Sequence, residues 1–103
     1  MATPTTDDQV HEAVRERYAA AAETYTRALQ AESGDDPGDW RFYYVRGIAY
    51  ERAKEWPKAE SDFLRALELR PDQPQVLNYL GYSWVDKGIH LEPALDMIEK
   101  AVA

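Results

Sequence analysis

The chain has 103 residues, 45% hydrophobic and 12% aromatic, with no cysteine and a formal charge of −7. This suits one folded domain with its own core, without disulfides, thiol chemistry or cysteine–zinc sites. The acidity argues against nucleic acid and against anionic membrane surfaces as partners, and no apolar run approaches the ~18 residues needed to cross a bilayer.

Residues 1–6 read as a loose polar tail with no features of a signal peptide. The cytoplasm is thus the default address of this segment, with the parent protein's compartment left open. Thr6 offers a helix cap, and Gln9, three residues on, completes a capping box. From Asp7 to about Ala31 no Gly or Pro intervenes. Val10, Val14, Tyr18, Ala21, Ala22, Tyr25, Ala28 and Leu29 recur there at spacings of three and four, the apolar stripe of an amphipathic helix. A break near Glu16–Arg17 would make two helices of it, and no helix breaker requires one.

Ser33 to Gly38 reads as a loop, after which Asp36 offers an N-cap and Pro37 a first helical position. The second helix is expected to reach about Lys54. Pro57 opens a third, which ends near Leu69 at the Arg70-Pro71-Asp72-Gln73 turn. Pro74 opens a fourth, closed by Gly88 as a left-handed cap. Pro93 opens a fifth that runs into the C-terminus. The fold class expected is all-α, with about five helices and no strand-like alternation.

A repeat organises these helices. Gly47 and Gly81 are 34 residues apart, and so are Tyr50 and Trp84, and Pro37 and Pro71. A fixed period of this size marks stacked helix–turn–helix units. In the unit 40–73 the pattern runs Tyr43, Gly47, Tyr50, Ala59, Phe63, Ala66, Pro71. In 74–103 it runs Leu77, Leu80, Gly81, Trp84, then Ala94, Ile98 and Ala101, displaced by one residue inserted in the Gly88–Glu92 turn. On the first helix Ala21, Tyr25 and Ala28 stand 38 residues before Ala59, Phe63 and Ala66. Small residues at these places allow close helix packing, and the large ones fill the space between units.

Over about residues 18–103 this pattern resembles the tetratricopeptide repeat family. The resemblance implies a short right-handed superhelical stack of antiparallel helix pairs, one domain spanning 1–103. Residues 7–31 would be a partial repeat and 74–103 a truncated one, as in a piece of a longer array. Alanine content and an excess of arginine over lysine fit a bacterial source. Arg46 departs from the pattern, standing where the family usually has Leu. Its stem is expected to pack while its head reaches solvent or bridges locally.

The resemblance also implies a concave groove that holds a peptide or a partner helix. Carried onto this sequence, its candidates are Arg41, Tyr44, Val45, Ile48 and Arg52 on the second helix. The fourth helix adds Gln75, Asn78, Tyr79, Tyr82, Val85 and Asp86. The stripe is more aromatic than a solvated face requires. It either takes a partner or is covered by the long first helix or further repeats. Arg41 and Asn78 match part of the set with which some members hold a terminal carboxylate, but the surrounding Lys and Arg cluster is lacking. A last helix without a polar cap would expose Leu95, Ile98 and Val102, a surface for self-association into a homodimer.

Nothing in the chain assembles into chemistry. His11 and His90 have no nucleophile or ligand at a meaningful spacing, so no metal or triad pattern is drawn. Asp35, Asp36 and Asp39 do not follow a calcium loop and suit helix capping. There is no glycine-rich phosphate loop. The expectation is a non-catalytic protein or peptide binder without cofactor. The alternative is a structural self-association unit.

Overall fold

In the computed structural model, which describes residues 7–33 and 39–102, five α-helices follow one another and no strand is formed among the described residues. They are α1 (Asp7–Ser33), α2 (Trp40–Arg52), α3 (Trp56–Leu69), α4 (Pro74–Lys87) and α5 (Leu91–Val102). Helices α2 and α3 form one hairpin and α4 and α5 a second. Helix α1 lies against α2, and α3 joins the hairpins through α4. The radius of gyration is 15.7 Å, above the ~13 Å of a compact domain this size. This is the elongation of a stack, in which most contacts run between successive helices.

Two glycines set the hairpin spacing. A Cβ at Gly47 would stand 2.7 Å from Cε1 of Phe63, so the Phe63 ring lies directly on the backbone of α2. A Cβ at Gly81 would stand 2.9 Å from Cγ1 of Ile98 and 3.0 Å from the carbonyl oxygen of Ala94. Around these contacts Tyr43, Ala59, Phe63, Ala66, Val76, Leu80, Trp84 and Ala94 form one buried core across α2–α5. Trp84 reaches back to α3, where its indole N–H donates to Oε2 of Glu60 at 2.7 Å.

Several element ends differ from expectation. Helix α2 starts at Trp40 and is capped by Asp39, whose side chain accepts from the N–H of Arg41. The expected Asp36 cap and Pro37 start, like Thr6 and its box, lie outside the described residues. Helix α2 stops at Arg52, because Lys54 takes a positive φ of 64° to turn the chain into α3. Helix α5 starts at Leu91 rather than Pro93. A first-turn proline is compatible with this because the N–H it lacks has no intrahelical acceptor there. Gly88 caps α4 at φ 69° as anticipated, a left-handed conformation open to glycine.

Helix α1 is one continuous helix, and its register differs from the repeat alignment. Ala22 and Leu29 are its buried residues, while Tyr25 is 37% exposed and Ala28 is exposed. Ala21, Tyr25 and Ala28 occupy the positions whose α3 counterparts face neighbours on both sides. Among the described residues α1 has only α2 to pack on, so the face one residue further round is the one buried.

Of the two expectations for Arg46 the bridge is the one formed, and its head does not reach out to solvent. It crosses from α2 to α3, where its Nε and Nη2 donate to the two carboxylate oxygens of Asp62 at 2.8 and 2.6 Å. Its Nη1 donates to the Thr26 hydroxyl of α1 at 3.1 Å. One side chain thus ties three helices together. The pairing with Asp62 holds the guanidinium even further into its charged form than usual.

Candidate concave site between α2 and α4

The two first helices of the hairpins, α2 and α4, present their side chains toward a common hollow. Tyr44 and Tyr79 meet edge to face, with ring centroids 6.2 Å apart and an interplanar angle of 88°. Both stand against the Phe63 ring, at 6.3 and 5.1 Å. Tyr44, Ile48 and Tyr79 are half-buried on the core, so the floor of the groove is the outer layer of the core itself. Burial pushes the phenols of Tyr44 and Tyr79 above their ordinary value, and the Glu51 charge adds to the effect at Tyr79.

Above this floor Asn78, Tyr79, Tyr82 and Asp86 of α4 line a shallow hollow of about 260 Å³ with Glu51 of α2 and Ser83. Tyr82 is 56% exposed. The Tyr79 hydroxyl donates to Oε2 of Glu51 at 3.3 Å and closes the α2 side. Among the described residues none from α1 lines this hollow, so the long helix leaves it open.

Arg52 leans the other way. Its Nη1 donates to the Tyr18 hydroxyl of α1 at 3.2 Å, and its guanidinium stands 5.5 Å over the Tyr18 ring. Bonds to Tyr18 and then Tyr79 raise its pKa. Arg41 lies apart, in a hollow with Asp39, Trp40, Leu69, Arg70 and Gln73, and both oxygens of Asp39 engage it. Gln75 is bonded to Gln73. Val45 is half-buried, and Val85 is exposed outside the hollow. The fold therefore brings together Asn78, Tyr79, Tyr82 and Asp86, with Tyr44 against Tyr79 and Ile48 on the core. It does not bring Arg41, Gln75 or Val85 to them.

Glu51 and Ser83 were not among the expected residues, though the spacing contains them. Tyr44, Ile48 and Glu51 recur at i, i+4 and i+7, as do Tyr79, Ser83 and Asp86.

At the far end of the stack Leu95 is 56% and Val102 78% exposed, with Leu91 beside them. Ile98 does not share that strip: it is turned inward onto Gly81. Among the described residues no three His, Asp or Glu side chains stand together as metal ligands. The His90 ring packs 4.8 Å from Trp84, and His11 borders a separate hollow beside Tyr18. No helix formed by the described residues is long and apolar enough to cross a membrane.

A family model described as the tetratricopeptide repeat matches residues 11–74. The match starts inside α1, takes in the whole α2–α3 hairpin and ends on the first residue of α4. It thus covers more than half of the sequence. The Gly47–Phe63 contact falls within it and is repeated in kind by Gly81 and Ile98 beyond it. The chain belongs to the tetratricopeptide repeat family.

Proposed function

We propose that this protein is a non-catalytic interaction module that holds a peptide or helix of a protein partner in the groove between α2 and α4. Protein–protein interaction is the general role of its family, and the choice of groove is our reading of this chain. The observation that carries it is Tyr82. A tyrosine left 56% exposed in an open hollow, beside Tyr79 and Asn78, is an aromatic anchor without an intramolecular role. The test is a photo-crosslinking residue placed at position 82 and, as a control, at exposed Leu64 of α3. The groove reading expects a discrete adduct from position 82 that Asn78→Ala removes. Equal adducts from both positions, or indifference to Asn78→Ala, would refute it.

A second reading has its own observation in the exposed aliphatic strip of α5. Leu91, Leu95 and Val102 would pair with a second copy, making the chain a self-association unit. Sedimentation over a wide concentration range separates the two. A mass that doubles with concentration, and stays monomeric in Leu95→Glu, supports self-association. A monomer throughout removes it.

A further inference from the structure

The polar groups of the α2–α4 hollow carry one sign of charge, and this names the chemistry of what enters it. Glu51 and Asp86 stand on opposite helices of the same hollow, and neither has an ion-pair partner among the described residues. Glu51 accepts from the neutral Tyr79 hydroxyl. On its other side Glu51 borders a hollow that holds Arg15, Arg52 and Lys54, so the more acidic end of the groove is at Asp86.

Tyr79 and Tyr82 add ring faces, which attract a cation within about 6 Å of their centroids. Asn78 and Ser83 supply oxygens that accept from an ammonium or guanidinium. The volume, about 260 Å³, is below the ~300 Å³ lower end for small-molecule sites and suits one side chain. An acidic segment would meet two carboxylates here, with Arg41 already held by Asp39 in a different hollow. The formal charge of −7 favours encounter with a basic partner.

We propose that the hollow takes a lysine or arginine side chain from a basic segment of a protein partner. This rests on the groove reading above and narrows it from any peptide to a cationic one.

The test uses the full chain, labelled for NMR, and short capped alanine peptides that differ only at a central lysine, arginine, norleucine or glutamate. The lysine and arginine peptides should shift the amides of Asn78–Asp86 and bind about fivefold tighter than norleucine, the size of an exposed ion pair with a cation–π contact. Asp86→Asn, at an exposed position that leaves packing untouched, should remove that preference. If norleucine shifts the same amides with equal affinity, or glutamate binds best, the cationic proposal is overturned while the groove stands. If all four peptides leave those amides unmoved, both fall.

Discussion

Replacing Arg46 with leucine would give this chain the residue its family usually carries, and should nevertheless destabilise it. Asp62 is 4% exposed, and its two oxygens are held by the Arg46 guanidinium. Removing one member of a buried pair costs about 3–5 kcal/mol, because the remaining charge is left in a poor solvent. The Arg46 side chain retains 18% exposure beside an open hollow, which admits some water and puts the expected loss near the lower end, about 3 kcal/mol. Against a total of roughly 5–15 kcal/mol, that would lower the melting temperature by about 15 °C. The double variant Arg46→Leu with Asp62→Leu should recover most of the loss, since a packed apolar pair is often as stable as the ion pair it replaces. Thermal unfolding of wild type, both single variants and the double, followed by circular dichroism, measures the coupling directly. A single Arg46→Leu protein as stable as wild type would refute the reasoning. So would a double variant no better than the sum of the singles.

Gly81→Leu should leave little or no folded protein. Its first side-chain carbon already overlaps Ile98 and the Ala94 carbonyl, and the backbone oxygen cannot move aside. Near-wild-type melting would show that α4 and α5 are not packed in this register. Asp39→Ala should cost about 1 kcal/mol by removing the α2 cap. Arg41, through its side-chain and backbone hydrogen bonds, holds the Asp39 carboxyl below its ordinary value of 3.8. The stabilisation from this group is therefore fully present above pH 3.8 and is lost as pH falls through its lower folded value. The gap between variant and wild type in a pH series of melting curves should close in that range and stay constant above it. Arg52→Gln should tighten binding of the lysine peptide about twofold, since it removes a nearby positive charge. Weaker binding in the same NMR titration would contradict a cation-accepting hollow.

The fold was legible because its signals are local and repeated. The 34-residue spacing of Gly47 and Gly81 reports close contacts that the structure reproduces against Phe63 and Ile98. The proline and Gly88 punctuation placed the helices to within a few residues. What a single sequence could not supply was which neighbour each helix has. Tyr25 and Ala28 fit the repeat pattern, yet they are exposed because α1 packs on one helix only. For Arg46 the sequence left solvent or a local bridge open, because its partner, Asp62, lies on the next helix, at a distance no helical period connects. In the candidate site the aromatic stripe on α4 was readable, but Arg41 and Arg52 of α2, expected to line the same groove, do not line its hollow. Asp39 and Tyr18 draw them elsewhere.

Arg46 and Arg52 of α2 differ in how their charge is met. Arg46 is neutralised by Asp62, so its charge is confined to the α2–α3 side and reaches nothing beyond. Arg52 has only neutral partners, the hydroxyls of Tyr18 and Tyr79, and it keeps its full charge. The Tyr18 ring and hydroxyl engage it from the α1 side, and the Tyr79 hydroxyl, which it also meets, donates to Glu51. Helix α1, which lines no part of the α2–α4 hollow, thus engages the arginine that borders Glu51 on its other side. Under the cationic proposal, α1 thereby acts on selectivity between α2 and α4. The feature responsible is one tyrosine, at a position the repeat pattern does not mark.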